Sequence, residues 1–165
     1  MAKAGKIIAL IGAILTILGT FLFSLMGNPG TGFYVYGWSM LNIDDIFVLA
    51  ASDPSAWMFY IIGVIAILYF LSGFIQLLGI KSRIAAFFGS LIPLAISVFV
   101  LLAVFGVYID IGMIIGLLLS RPELATGIFP VSFEYGFMSF GLGTIIIGVG
   151  SLLTLITTFM TREDY

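Results

Sequence analysis

Cysteine and histidine are both absent from the 165 residues, and only 8% of the chain is charged. Without cysteine there is no disulfide, no thiolate nucleophile and no sulfur-ligated metal. Without histidine the commonest general base and metal ligand is missing too. The shortage of charge excludes more. A soluble domain carries about 25% charged residues. A chain with so few, with 62% hydrophobic residues and a mean hydropathy of +1.29, belongs in a membrane. The net charge is −2 and no basic run occurs, so nucleic acid is not expected as a partner. No nucleophile elbow, phosphate loop or metal-binding helix motif is present, so neither enzymatic activity nor a cofactor is expected.

What is there is apolar sequence in long runs. A membrane span needs about 20 residues, and four runs reach that length: Ile7 to Met26, Trp57 to Gly79, Ile84 to Tyr108 and Gly136 to Met160. The first is preceded by Lys3 and Lys6, as a signal peptide would be, but it exceeds the usual apolar core of about 7–15 residues and reads as a retained span. Lys3, Lys6, Lys81, Arg83 and Arg162 fall on one side of this layout and only Arg121 on the other. The positive-inside rule then places both termini and the short 80–83 turn in the cytoplasm. Two outer loops remain, roughly 27–56 and 109–135, and Asp44, Asp45, Asp53, Asp110, Glu123 and Glu134 lie in or beside them. The expected architecture is a single domain over 1–165: an all-α, four-transmembrane-helix bundle in the cell membrane, with a small extracellular cap that holds a short two-stranded β element.

The spans carry stripes of small residues. Gly5, Ala9, Gly12, Thr16 and Gly19 share one face of the first helix. Gly136, Gly143 and Gly150 recur at steps of seven in the fourth, and a second row runs through Gly141, Thr144, Gly148 and Ser151. Lipid gives helices no hydrophobic reason to pair, and small residues permit the close approach that does hold them. These faces serve packing within the bundle or, for one of the two rows of helix four, a join between copies. Gln76 is the one strongly polar side chain inside the spans and reads as an interhelical hydrogen-bonding group. Pro93 removes a backbone bond from the third helix and predicts a kink. No Asp, Glu, Lys or Arg lies at membrane depth, where transport chemistry usually shows itself.

The outer loops are unusually apolar. Gly32-Phe33-Tyr34-Val35-Tyr36-Gly37-Trp38-Ser39-Met40 follows the turn cluster Asn28-Pro29-Gly30-Thr31-Gly32 and reads as a strand. Its aromatics suit a headgroup belt, a small packed cap, or a contact surface made by Phe33, Tyr34, Tyr36 and Trp38. Asn42-Ile43-Asp44-Asp45 reads as a helix start, and Ser52-Asp53-Pro54 as the cap of the second span. Asn42, Asp44, Asp45 and Asp53 are also the one candidate set for a hard cation, although helix capping explains them as well. Asp110 to Ser120 continues apolar, as a projecting third helix or a short interfacial one, and Arg121 is expected to pair with an outer acid or cap a helix end. Gly127 to Tyr135 is the second strand candidate, expected to pair with the first.

Four spans, cytoplasmic termini, a longer first outer loop with a strand and a projecting third helix resemble the claudin-like tetraspan plan. The resemblance covers the whole chain as topology. In the first loop, Tyr36-Gly37-Trp38 is similar to the Gly-Leu-Trp of the claudin signature, while the two cysteines that follow it there are absent here. The resemblance implies lateral self-association and a junction-like or membrane-organising role. The expected function is therefore structural: self-association in the membrane plane, with membrane lipids and further copies of the chain as partners and another membrane protein as a further candidate. The competing expectations are a small channel or transporter subunit and an accessory subunit of a larger complex.

Overall fold

Large aliphatic side chains take one face of each helix and small or hydroxylated ones the other, and this division sets the architecture. The protein is described by a computed structural model over residues 2–28, 33–37, 48, 51, 57–105, 128–135 and 138–160. In α1 (Ala2–Phe21), Ile7, Leu10, Ile11, Ile14 and Leu18 are exposed, whereas Ala9, Gly12, Ala13, Thr16, Gly19 and Thr20 are buried. α2 (Trp57–Leu78) exposes Ile61, Val64, Leu68 and Leu71 and buries Ala66, Tyr69, Ser72 and Gln76. α3 (Arg83–Val104) buries Ala86, Ser90, Pro93 and Ser97, and α4 (Leu142–Phe159) buries Gly143, Thr144, Ile147, Gly150, Ser151, Thr154 and Thr157. A soluble bundle would show the reverse pattern, with aliphatics inside and polar groups outside. Here the surface is matched to hydrocarbon, and the interior is built for backbone approach and hydrogen bonding.

Among the described residues three helices are long and apolar enough to cross a membrane, over Ala4–Phe21, Arg83–Leu102 and Leu142–Phe159. α2 contains the shorter apolar stretch Gly63–Leu78 within its 22 residues. The chain is thus mostly helical and membrane-embedded. α1 packs against α2 and α4, and α3 packs against the same two, so the helices form a ring closed by α1 on α4, the most extensive contact. Gly12 lies against Gly150 and Gly19 against Gly143, which makes α1 and α4 antiparallel. Phe21 meets Phe70 edge-on at 4.9 Å and helps seat α1 on α2.

A small antiparallel sheet stands at the end where α1 finishes and α4 begins. Its strands are β1 (Ser24–Asn28), β2 (Phe33–Tyr36), β3 (Ser132–Tyr135) and β4 (Met138–Gly141), in the order β2-β1-β4-β3. Here the sequence expectation needs correction. Among the described residues the sheet has four strands, not two, and the two strands that were expected to pair, within 32–40 and 127–135, form its opposite edges. The missing inner pair was read as helix. The first span does not continue to Met26 but ends at Phe21, and the fourth begins at Leu142 rather than Gly136. An unbroken apolar run cannot distinguish a helix end from a buried strand by periodicity, and both inner strands are apolar continuations of a span. The second helix ends at Leu78, one residue short of the expected Gly79, and the third is described to Val104, the expected end at Tyr108 lying outside the described residues.

Backbone bonds weld the sheet to the bundle. Leu142 N donates to Val131 O at 2.9 Å, so the residue just before β3 satisfies one of the amides that the first turn of α4 leaves without an internal partner. The Ser24 hydroxyl donates to the same carbonyl at 2.9 Å. Thr144 Oγ1 donates to Leu25 O, tying α4 to β1. Phe23 and Phe129 form a parallel bridge with their rings stacked at 5.3 Å.

Candidate functional site

Gln76 organises the interior. Its side chain is fully buried near the end of α2 that leads into the 79–82 turn. Nε2 donates to Gly89 O at 3.0 Å, and Ser151 Oγ lies 3.5 Å from it. Oε1 accepts from Thr16 Oγ1 and from Thr154 Oγ1, each at 3.0 Å. The Thr16 and Ser151 hydroxyls are 3.4 Å apart. These partners belong to α1, α3 and α4, so among the described residues one side chain of α2 reaches each of the other three helices.

The sequence explains why Gly89 O is available. In an α-helix that carbonyl would accept from the amide four residues on, which is Pro93, and proline has no N–H. The helix nevertheless runs unbroken from Arg83 to Val104 with Pro93 buried inside it. The amide of Gln76 takes the missing donor's place. Glycine at 89 permits this, since a Cβ there would stand 2.9 Å from Gln76 N. Gly89 O can only accept, so Nε2 must face it. Oε1 is then turned toward the threonines.

The threonine hydroxyls also reach back along their own helices, Thr16 to Gly12 O at 3.0 Å and Thr154 to Gly150 O at 3.1 Å. Gly12 and Gly150 are the closest approach of α1 to α4. A Cβ on Gly12 would come within 2.5 Å of Gly150 O, and one on Gly150 within 2.7 Å of Gly12 O. The polar cluster and the glycine contact are therefore one unit. Higher in the bundle, Ser97 Oγ donates to Thr144 O at 2.8 Å, and Gly148 leaves room for that serine.

The residues singled out from sequence fall as follows. Gly12, Thr16, Gly19, Gly143 and Gly150 meet at the α1–α4 contact, and Ala9 is buried on the same face. A Cβ at Gly5 would meet nothing within 4 Å. The second row of α4 faces α3 through Gly148 and Thr144, so the described residues of both rows find partners inside one chain. In β2, Phe33 pairs with Asn28, and Tyr34 is half-buried. Tyr36, expected on an outer contact surface, is instead 1% exposed and cannot present its ring there. Trp38, Gly136, the Asn42–Asp45 and Ser52–Pro54 helix starts, the cation candidates, the 110–120 segment and Arg121 lie outside the described residues. Among the described residues no three acidic, cysteine or histidine side chains gather as a metal site.

Sequence reading picked out Gln76 as an interhelical bonding group but named none of its partners, Thr16, Gly89, Ser151 and Thr154. One signal was present: Gly89 stands four residues before Pro93 in a membrane helix, and so marks a carbonyl in need of an outside donor. Chemically, the cluster contains amide and hydroxyl groups and no ionisable side chain, and each threonine shares its single proton between Gln76 Oε1 and a carbonyl of its own helix. It is suited to holding helices together, and none of its members can change charge near neutral pH. No protein-family model matches the chain, and neither a curated protein nor a solved structure does.

Proposed function

We propose that this chain is a structural, membrane-organising protein. In this reading it crosses the cell membrane four times, with both termini and the 79–82 turn in the cytoplasm and the sheet outside. It self-associates in the membrane plane, on the plan of the claudin-like tetraspan proteins, with lipid and further copies as its partners. It is not assigned an enzymatic role.

One observation carries the proposal. Two polar side chains of the interior are committed to joining helices of one chain: Gln76 reaches α1, α3 and α4, and Ser97 is bonded to α4. No Asp, Glu, Lys or Arg occurs within 7–21, 57–78, 84–104 or 142–159 to bind or relay an ion. Solute flux through a single bundle would require Gln76 and Ser97 to leave these bonds for water. A chain whose interior is committed to its own cohesion offers its outer faces for function.

The test is to view the protein in its own membrane without detergent, by electron cryo-microscopy of vesicles and by mass measurement in polymer-excised native discs. Ordered arrays, rings or discrete multiples of the chain mass are the expected result. Scattered single chains would overturn self-association and redirect attention to solute flux.

A further inference from the structure

We propose that the open edge of β3 pairs with β3 of a second copy, antiparallel, in a single register centred on Phe133. This proposal rests on the self-association reading above and names the surface that would carry it. The starting point is which backbone groups of β3 are already used. Leu142 N bonds Val131 O one step beyond the β3–β4 ladder and in its register, while Val131 N turns to Phe129 O, and this single bond sets the phase of the ladder. Hydrogen-bonded and non-bonded pairs alternate in an antiparallel ladder. Phe133 with Phe140 and Tyr135 with Met138 are then bonded pairs, and Ser132 and Glu134 aim their N–H and C=O groups away from β4. β3 is the last strand of the sheet, and no backbone bond to Ser132 or Glu134 occurs on that side among the described residues. The other edge differs. In β2, Val35 and Tyr36 are buried, whereas Phe133 is 44% exposed and Glu134 is exposed.

Unpaired strand edges are templates for another strand, and the residues of β3 specify which strand fits. Outward groups can bond only to outward groups, which leaves three registers. Aligning Ser132 with Ser132 brings Glu134 opposite Pro130, which has no N–H to donate. Aligning Glu134 with Glu134 puts two carboxylates directly opposite, which is destabilising. Aligning Phe133 with Phe133 sets Ser132 opposite Glu134 twice, so both outward residues of each copy exchange bonds. The serine hydroxyl then faces the partner's carboxylate as a donor. Phe133 meets the partner's Phe133 in the close, non-bonded position, where aromatic pairs add most. Within one chain Phe133 already contacts Phe140, whose ring lies 6.2 Å from Phe105, so the pairing would extend a row of aromatics across the two copies. The strand complements itself in backbone polarity, charge and side chain, which is why the occupant is a second copy.

The absence of cysteine makes the test clean. Phe133→Cys and, separately, Ile128→Cys are placed in the full-length chain and oxidised in native membranes. Ile128 is 64% exposed at the same end of the bundle and reports random collision. The expected result is several-fold more disulfide-linked dimer from Phe133→Cys than from Ile128→Cys, with Phe133→Lys abolishing dimers in native discs. If Phe133→Cys cross-links no better than Ile128→Cys while the unmodified chain still runs as a multimer, the β3 edge is not the contact and self-association stands on another surface. If the unmodified chain is monomeric in native discs, both proposals fall.

Discussion

The Gln76 amide donates to the Gly89 carbonyl at 3.0 Å, and it does so because Pro93, four residues on, cannot. The proline alone would be a defect in a membrane helix, since an unpartnered carbonyl in hydrocarbon costs several kcal/mol. The glutamine alone would be a polar side chain buried without reason. Together they form a specific junction that orients α2 against α3, and the amide oxygen turned away from Gly89 then collects Thr16 and Thr154. Two apparent weaknesses in separate helices thus define how all four helices meet.

This pairing predicts a non-additive cycle. Gln76→Leu removes the donor to Gly89 and the acceptor for two threonines, and is expected to lower stability by about 1–3 kcal/mol. Pro93→Ala restores an in-helix donor to Gly89, so Gln76→Leu should cost less in a Pro93→Ala background, with a coupling of about 1 kcal/mol. Reversible unfolding in mixed micelles would measure it. Strictly additive costs would show that Gly89 does not link the two residues.

The α1–α4 contact predicts a contrast between two glycines of the same stripe. Gly12→Ala places a Cβ within 2.5 Å of Gly150 O, where the obstacle is backbone, and is expected to cost about 1–3 kcal/mol. Gly12→Leu should prevent α1 from docking. Gly5→Ala meets nothing within 4 Å and should be neutral or stabilising by up to about 1 kcal/mol, through helix propensity alone. The same unfolding assay decides it, and equal losses at both positions would contradict the contact.

Much of this was legible in the sequence. The Gly12–Thr16–Gly19 and Gly143–Gly150 stripes, the β2 strand at Phe33–Tyr36 and the bonding role of Gln76 all follow from residue spacing and type. The inner half of the sheet was not legible, because Ser24–Asn28 and Met138–Gly141 are apolar extensions of helical runs. What makes them strands is tertiary: each is paired on both sides, β1 with β2 and β4, and β4 with β1 and β3. Such a partnership has no local signature. The small-residue faces were legible as contacts, but their partners were not, since a stripe of glycines is the same whether it meets its own chain or another.

Tyr69 supports a prediction of the opposite sign. Its hydroxyl is enclosed, makes no hydrogen bond of normal geometry among the described residues, and sits where a Cβ on Gly37 would come within 2.6 Å. Thr20 directs its own proton to Thr16 O at 2.8 Å, so its oxygen could only accept from Tyr69, and no such bond of normal geometry is made. Removing an unsatisfied buried group relieves its desolvation. Tyr69→Phe should therefore leave stability unchanged or raise it by about 1 kcal/mol. Gly37→Ala should destabilise the chain, and less so in the Tyr69→Phe background. A marked loss from Tyr69→Phe alone would contradict an unsatisfied hydroxyl.

The four-span reading can be checked through three exposed positions, again helped by the cysteine-free background. Ala4 lies at the start of α1, Lys81 in the turn between α2 and α3, and Ile128 beyond α3 at the sheet end; all three are exposed. If α1 and α2 both cross, Ala4 and Lys81 share a side; if α3 also crosses, Ile128 lies opposite. Ala4→Cys and Lys81→Cys should resist a membrane-impermeant maleimide in intact cells and react after lysis, whereas Ile128→Cys should react at once. Reaction of Lys81→Cys in intact cells, with Ala4→Cys still protected, would mean that only one of α1 and α2 crosses. Protection of all three would mean that α3 enters and leaves on one face, and would remove the sheet from the cell surface.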